Sequence, residues 1–507
     1  MSNLGKQLSL LAFFGVEKSP KTANIDKYLY RNRVFFVAKS NDFIIFTQYL
    51  VENEMEKQLK PRDHNLLLKA FRYYLQFVNS GLYFRKEHMV GLENVPVNGT
   101  PCVVVSNHQN CLNDPLSVVL NLTDRRMNFI ARGNVFKNPV AGAFMRKIGM
   151  LPAYRMSHDG YSAVSKNRDM MDASSEALCS GETLMLYPEA AHQNKRWLGT
   201  FKIGYLKIAF EAAEKLNFEH DVMILPSANH YSNYFHARTD MLIRFGEPIS
   251  LKPYYEKYKE DPRATMWEIN DIVREKIKEL MLNIEDLDHY DQIDFLRETG
   301  YGRKYAMEHG FNFNYLPSRL LSDQKLVSAL QEAYDNHPEE MEKIYEDTAE
   351  LSQGLKKLRI RDWLYIRNPK WPMAVLRGLG LLLLLPLFVI SIIPTGLLFL
   401  IPEIFLKSLI KDKMFSSSFR VGASVFVSVP LCLFVPAILL WIFVGFWWAL
   451  GYMVAFPFMF VVAWNYLRLF WRFVGTCIFV SRRNRPVINK LRDLRTSIYK
   501  RLDNLLK

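Results

Sequence analysis

Cysteine is scarce in this sequence: there are five in 507 residues, and none stands in a CxxC or other metal-ligand spacing. The chain also lacks a GxGxxG fingerprint, a P-loop, an HExxH motif and the GxSxG turn that carries a nucleophilic serine. These absences argue against disulfide-rich, zinc-binding, nucleotide-binding and serine-hydrolase classes. We therefore expect chemistry that needs no metal and no cofactor.

The N-terminal residues do not follow the pattern of a secretory signal peptide. Residues 8–16 are apolar, but only Lys6 precedes them and no small-residue cleavage site follows. With so few cysteines, we expect a reducing, cytoplasmic setting for the soluble part of the chain.

Positive charge is concentrated at one end of the chain. The net charge is +14, and residues 371–507 hold 16 Lys and Arg against 4 acidic residues. The first 370 residues hold 49 basic and 47 acidic residues. Because the basic excess accompanies the apolar segments, it favours anionic membrane lipids over nucleic acid as the partner.

Two long stretches contain no charged residue. Residues 378–401 number 24 and residues 421–467 number 47, which predicts one and two membrane spans of roughly 20 residues each. Three basic segments flank them, at 356–370, 407–420 and 468–501. Basic segments favour the cytoplasmic side, and three full crossings cannot place all of them there. Two alternatives stay open: three spans, or a first segment that enters and returns, followed by two spans.

Residues 100–250 alternate between strand-like and helix-like patterns. The strand-like runs are 102–106, 127–131, 182–187 and 222–227, and the helical patterns lie around 137–148, 168–180 and 204–216. This alternation predicts an α/β domain with a largely parallel sheet. Ligands bind beyond the carboxyl ends of the strands in such sheets.

The composition along the chain predicts five regions. They are a helical N-terminal extension (1–64), the α/β domain (65–252), a solvated, charged helical arm (253–370), membrane segments (371–475) and a basic C-terminal tail (476–507). The amphipathic stretch that opens the second region has two possible roles, packing on the core or lying on a bilayer surface.

His108 and Asp114 are the first candidate catalytic pair. His108 follows the strand at 102–106, and Asp114 lies six positions further on. A histidine base can take the proton of an attacking hydroxyl, and a carboxylate can orient the ring and stabilise the imidazolium. The alternative for Asp114, which precedes Pro115, is a helix N-cap; for His108 it is a structural histidine at a strand end.

Four segments in order resemble the glycerol-3-phosphate and lysophosphatidate acyltransferase family. They are NHQNCLNDP (107–115), ARGNVFKNPVAGAFMRKIGMLPAYR (131–155), LYPEAAHQNKRWLGTFKIG (186–204) and ILPSANHY (224–231). The resemblance covers about residues 65–250 and implies an acyltransferase domain; the cytoplasmic side is expected for it from the cysteines, the N-terminus and the basic segments. It implies transfer of an acyl group from acyl-CoA or acyl carrier protein to glycerol 3-phosphate, dihydroxyacetone phosphate or lysophosphatidate.

The resemblance also implies roles for single residues. His108 would be the general base and Asp114 its partner. Arg155, Glu189 and Lys202 would help to hold the phosphate and glycerol of the acceptor, the cations because they bind phosphate well. Because a carboxylate repels phosphate, we expect Glu189 to accept a hydrogen bond from a glycerol hydroxyl, to orient Arg155, or to act only as a cap or ion-pair partner.

This sequence departs from the common family pattern in two places. Five residues separate His108 from Asp114 rather than four, a His-x5-Asp-Pro form shared with fungal glycerol-3-phosphate/dihydroxyacetone-phosphate acyltransferases. Ala190 replaces the glycine of the third motif, and His192 stands where many members carry arginine. We expect His192 to make phosphate contact weaker or pH-dependent.

Three other functions compete with this one. The acceptor can be a lyso-lipid without phosphate, or the base can activate water, which would make a thioesterase. The chain can also be a degenerate member that acts as a membrane scaffold through its charged helices; the altered third motif favours this, and the His108–Asp114 pair argues against it.

Overall fold

The structure, a computed structural model, describes residues 26–30, 33–37, 66–154, 160–189, 195–409 and 415–506. The chain separates into two units, Met1–Gln58 and Leu59–Lys507. In the first unit, β1 (Asp26–Tyr30) pairs antiparallel with β2 (Arg33–Val37). The prediction of a helical extension is wrong for these residues. They are rich in aromatic and β-branched side chains, which favour strands.

Within the described part of the second unit, eight strands form one sheet in the order β3-β9-β8-β4-β7-β5-β6, with β10 also paired to β8. The strands are β3 (Lys86–Val90), β4 (Cys102–Ser106), β5 (Met127–Arg132), β6 (Met150–Ala153), β7 (Thr183–Leu186), β8 (Met223–Tyr231), β9 (Asp240–Phe245) and β10 (Ile249–Ser250). Most neighbours are parallel, and β8 is antiparallel to β9 and β10. The predicted α/β domain with a largely parallel sheet is confirmed.

Helices pack against this sheet and bury its central strands. They are α1 (Leu66–Gln76), α2 (Asn113–Asn121), α3 (Pro139–Lys147), α4 (Ser162–Cys179) and α5 (Gly204–Lys215), with a π-helical turn at Phe77–Tyr83 after α1. Every residue of β4 is buried, as its continuous apolar sequence predicts for a strand covered on both faces. The residues that follow the carboxyl end of β4 are therefore attached to a strand in the interior of the domain.

The next seven helices of the described chain follow the sheet; the first two pack against the sheet, and the other five share a second buried cluster. They are α6 (Tyr255–Glu260), α7 (Pro262–Leu280), α8 (Tyr290–Glu298), α9 (Gly300–Glu308), α10 (Leu316–Asn336), α11 (Pro338–Leu358) and α12 (Trp363–Arg367). Residues of α8 to α12 share a buried cluster with Leu242 of β9 and Phe479. The arm is therefore not solvated on all sides, because many of its apolar side chains are buried in this cluster.

The basic C-terminal tail forms helix α17 (Pro486–Leu505), which packs on the same cluster. Its Arg495 donates from Nε to Asp362 at 2.6 Å, and Lys490 lies 2.7 Å from Glu350. Part of the positive charge of the tail is thus paired with acidic residues of the arm.

Among the described residues, three helical segments are long and apolar enough to cross a membrane by length and composition: Trp371–Leu406, Phe415–Phe443 and Phe446–Arg482. The first belongs to α13 (Trp371–Leu409), which contains three prolines in its interior, Pro386, Pro394 and Pro402. The second comprises α14 (Phe415–Ala423), two π-helical turns and α15 (Val435–Phe443), and the third is α16 (Phe446–Arg482). Gly445, at φ 124°, joins α15 to α16 in a backbone conformation that favours glycine.

Candidate active site

His108 lies just beyond the carboxyl end of β4 and next to a buried carboxylate. Its Nδ1 is 2.9 Å from Oδ2 of Asp114, whose side chain is fully buried. The carboxylate favours the tautomer with the proton on Nδ1, which leaves Nε2 as the basic nitrogen. The structure thus brings together the two residues that the sequence paired.

Asp114 accepts three further hydrogen bonds. The backbone N–H groups of Gln109 and Asn110 donate to Oδ2 at 2.8 and 2.7 Å, and the hydroxyl of Tyr231 donates to Oδ1 at 2.7 Å. These donors offset the cost of burying the charge. Although Asp114 lies in the first turn of α2, its oxygens accept from the loop before the helix, so its side chain orients His108 and the loop.

The five residues between His108 and Asp114 form a tight loop. Cys111 within it is buried and has φ 40°, a left-handed conformation that is uncommon for a residue with a Cβ. Leu112 donates its backbone N–H to Ser418 at 2.9 Å, and the Ser418 hydroxyl donates to the carbonyl of Asn110 at 3.0 Å. The start of α14 therefore holds this loop in place.

Tyr187 supports the imidazole ring from one face. It follows β7, and its ring is stacked on that of His108 with centroids 4.2 Å apart. Removal of its hydroxyl from water, together with the charge of Asp114, raises the pKa of Tyr187 well above its usual value. The phenol is therefore neutral at physiological pH and acts as a flat, uncharged support.

Glu189 links the first and third motifs. Its Oε1 accepts the backbone N–H of His108 at 2.8 Å, and Oε2 accepts that of Gly199 at 2.9 Å. Burial raises the pKa of Glu189, and these two hydrogen bonds oppose that shift. The contacts give Glu189 a positioning role toward His108, whereas a contact with the acceptor stays a prediction.

The other predicted substrate-binding residues fall into two groups. Lys202 is exposed, and its backbone N–H donates to the carbonyl of Pro188 at 3.0 Å. Because Pro188 precedes Glu189 in the chain, the backbone of Lys202 lies near that of Glu189. Arg155 and His192 lie outside the described residues. Among the described residues, no group of three or more His, Cys, Asp or Glu side chains is arranged to hold a metal ion.

Arg196 is a buried residue of the third motif that the sequence did not single out. It donates from Nη1 to the Tyr234 hydroxyl at 3.1 Å and from Nη2 to the Tyr231 carbonyl at 3.1 Å. Its Nε lies 3.4 Å from Asp294 of α8. Arg196 therefore joins the third motif to both β8 and the helical arm. The only sequence signal was its place within the quoted motif.

His230 is another buried residue near this arginine. Its Nδ1 is 3.3 Å from Nη1 of Arg196. Burial, and then the charge of Arg196, lower the pKa of His230 well below its usual value. The ring is therefore neutral, and the geometry suits Nδ1 as an acceptor for the guanidinium.

A histidine base supported by a carboxylate, at the carboxyl end of a central strand, defines an α/β domain suited to activating a hydroxyl or water. Residues 87–229 match the model of the Acyltransferase family. This segment, which contains His108, Asp114 and Glu189, is thus an acyltransferase-family domain.

Individual relatives match part of this chain. Over 126 residues the chain is 36% identical to a chloroplastic 1-acyl-sn-glycerol-3-phosphate acyltransferase of Brassica napus, covering 25% of this chain and 34% of that protein. A second such protein, from Arabidopsis thaliana, is 34% identical over 126 residues, covering 25% of this chain and 33% of that protein. The chain thus spans about a third of the length of these two relatives.

Two further similarities are more distant. Tafazzin of Drosophila melanogaster is 23% identical over 228 residues, covering 42% of this chain and 58% of that protein. The crystal structure of the 1-acyl-sn-glycerophosphate acyltransferase PlsC from Thermotoga maritima covers 46% of this chain and 88% of that chain, with 21% identity and a TM-score of 0.30. The fold assignment rests on the strand pairing described above.

Proposed function

We propose that this protein is a membrane-bound O-acyltransferase that moves a fatty acyl group from an acyl thioester to a hydroxyl of a glycerol-phosphate-type acceptor. The observation that carries this proposal is the 2.9 Å contact between Nδ1 of His108 and Asp114, inside a segment that matches the Acyltransferase family. The match defines the kind of domain, and the His–Asp geometry supplies a base for hydroxyl activation.

In the proposed reaction, Nε2 of His108 removes the proton of the acceptor hydroxyl as its oxygen attacks the thioester carbonyl. The carbon–sulfur bond then breaks, and the imidazolium returns the proton to the departing sulfur. Asp114 stabilises the imidazolium between these two steps. General-base action of this kind contributes about 10²–10⁴ in rate. The thioester supplies the driving force, so the proposal includes no metal and no cofactor.

The acceptor is proposed to be glycerol 3-phosphate, dihydroxyacetone phosphate or lysophosphatidate. The names of the two plant relatives support a phosphate-bearing acceptor. The exposed side chain of Lys202, near Glu189, is available for a phosphate. Arg155 is proposed as a second phosphate ligand from its place at the end of the second motif, and His192 as a weaker one.

Membrane attachment is proposed to occur through the apolar helices, with the acyltransferase domain on the cytoplasmic side. Large apolar side chains are exposed at the turn between α15 and α16, where Phe443 is 79% and Trp447 77% exposed. Such a surface is suited to lipid. No charged residue lies between residues 421 and 467, so this hairpin can enter a bilayer without burying a charge.

Contacts with the soluble part favour one side of the membrane for all three basic segments. Arg482, at the end of α16, donates to the carbonyl of Leu358 at 3.3 Å. Arg420 donates to the carbonyl of Phe235 in the acyltransferase domain. Helix α13 begins directly after the helical arm, and Glu403 near its other end accepts from Arg420 at 2.7 Å. Both ends of α13 therefore lie beside the soluble part, which supports a first segment that does not cross the bilayer. Anionic lipids on the cytoplasmic surface are the proposed partners of the remaining basic residues.

The test is an acyl-transfer assay on membranes that contain the full chain or its His108→Ala variant. Labelled acyl-CoA and acyl carrier protein are offered separately with each of the three acceptors. Transfer to one acceptor that is lost in the variant is the expected result. No transfer from either donor by folded protein would contradict the proposal. Transfer only to a lyso-lipid without phosphate would change the acceptor class, and acyl release without any acceptor would identify a thioesterase.

A further inference from the structure

A polar cavity of about 300 Å³ opens where β3 and β9 begin. The sheet contributes Arg85, Lys86, Ser232 and Asp240 to its wall, and the start of α10 and the segment before it contribute Asn314 and Arg319. Because β9 is antiparallel to β8, these strand starts lie at the same edge of the sheet as His108. The acyltransferase domain and the helical arm thus build this cavity together.

The carboxylate in the wall is already paired. Arg85 donates from Nε to Oδ1 of Asp240 at 2.7 Å, and a second nitrogen of the same guanidinium donates to Oδ2. Lys86 is exposed and has no ion-pair partner among the described residues. The sheet side of the cavity therefore presents an excess of positive charge.

Arg319 adds a second cation to the wall of the cavity. Its Nε is buried and donates no hydrogen bond to any described residue. The nearest carboxylate, Asp323, is 3.6 Å from this Nε and also accepts from Arg297 at 3.0 Å. The guanidinium is held over the ring of Phe313, 4.4 Å from its centroid. A guanidinium that lines a polar cavity is suited to a phosphate oxygen.

The N-terminus of α10 strengthens this field. The 21-residue helix begins at Leu316, which lines the cavity, and no side chain in the described part of the chain caps it. Helix N-termini favour anions because their N–H groups and dipole are positive. Three independent features, Lys86, Arg319 and this helix start, therefore converge on one cavity.

The distance from His108 distinguishes between possible phosphates. Three strand spacings separate β4 from β3, which is roughly 14 Å. In a glycerol-phosphate acceptor only a few bonds separate the phosphate from the reacting hydroxyl, so that phosphate must lie near His108. In coenzyme A the long pantetheine arm separates the thioester from the phosphorylated ribose.

We propose that this cavity binds the 3′-phosphate end of a coenzyme A thioester, with Lys86 and Arg319 as phosphate ligands. The proposal rests on the proposed acyl-transfer function and deepens it, because it makes coenzyme A rather than acyl carrier protein the donor. It also gives the helical arm a role in donor binding.

The experiment uses the detergent-solubilised full chain and two measurements. The first is binding of adenosine 3′,5′-bisphosphate by calorimetry to wild type, Lys86→Ala, Lys86→Glu and Arg319→Gln, with inorganic phosphate as a competing ligand. Lys343→Ala, at an exposed lysine of α11 away from the cavity, is the matched control. The second is kcat/KM with acyl-CoA, acyl-3′-dephospho-CoA and acyl carrier protein.

We expect Lys86→Ala to weaken bisphosphate binding about tenfold and Lys86→Glu more, with Lys343→Ala unchanged. In the Lys86→Ala variant, the ratio of kcat/KM for acyl-CoA to kcat/KM for acyl-3′-dephospho-CoA should fall by a similar factor. The proposal would be overturned if the protein bound no bisphosphate, or if Lys343→Ala lost as much bisphosphate affinity as the Lys86 variants. It would also be overturned if inorganic phosphate competed at equal affinity, or if the variants changed only the KM of the acceptor. Bisphosphate binding with this mutational pattern in a protein that transfers no acyl group would instead refute the proposed function and leave the anion site standing.

Discussion

The hydroxyl of Tyr231 lies 2.7 Å from Oδ1 of Asp114, although the two residues are 117 positions apart. Tyr231 is the last residue of β8, which pairs with β4, so the sheet itself carries the phenol to the carboxylate. Burial, and then the charge of Asp114, raise the pKa of Tyr231 well above its usual value, which keeps it a hydrogen-bond donor. The carboxylate is thus oriented from two strands at once.

The Asp114→Asn and Tyr231→Phe variants should differ in their effect on catalysis. The amide cannot stabilise an imidazolium, so Asp114→Asn should lower kcat by about 10²–10⁴. Tyr231→Phe removes one of several hydrogen bonds to the carboxylate and should lower kcat roughly tenfold. Single-turnover assays with His108→Ala as the inactive reference measure both. Equal losses in the two variants would contradict the assignment of Asp114 as the direct partner of His108.

The Glu189→Gln variant separates a positioning role from contact with the acceptor. One of the two backbone N–H groups, of His108 or Gly199, would face the amide nitrogen and lose its acceptor. An unsatisfied buried donor costs about 1–3 kcal/mol, so the variant should unfold at lower temperature and have a lower kcat. The KM of the acceptor should change little. A large rise in that KM with unchanged thermal stability would show that Glu189 holds the substrate.

The buried His230 predicts a pH dependence of stability. Because its pKa is lowered in the folded state, the unfolded chain binds a proton first as the pH falls through about 6.5. The contribution of the neutral ring is therefore present above this pH and is lost below it. His230→Asn keeps an acceptor for Arg196 but cannot titrate. The unfolding temperature is measured from about pH 7.5 to about pH 5.5, an interval centred on the usual pKa of histidine, about 6.5. As the pH falls, this temperature should decrease less in the variant than in wild type. Parallel curves would contradict this role.

Thiol labelling of sealed membranes tests the proposed topology. Single cysteines replace Ser416, at the start of α14, and Ser481, near the end of α16, with Lys343→Cys as the marker of the soluble part. Cys179 and Cys477, which are partly exposed, are first changed to serine. An impermeant reagent should label all three from the same side, because the segments that carry the two serines contact the soluble part. Labelling of position 416 from the opposite side would mean that α13 crosses the bilayer.

Local sequence patterns determined much of the α/β domain. The apolar runs at 102–106 and 127–131 became β4 and β5, and the pattern at 204–216 became α5. Continuous apolar runs of this length favour buried strands, and a period near 3.6 favours helices. The same patterns missed β3 and β9, whose sequences include charged residues and whose apolar runs are no longer than three residues.

The sequence by itself determined the three long apolar helices, since their length and lack of charge are local properties. It also paired His108 with Asp114, because the two residues are only six positions apart and follow a strand. Only the tertiary structure decided that Glu189 accepts from the backbone of His108, and that Arg196 reaches β8 and Asp294. It also decided that the charged arm buries its apolar side chains with the C-terminal helix. Contacts between residues far apart in the chain depend on how elements pack, and the periodicity of one segment carries no information about the partner of its buried face.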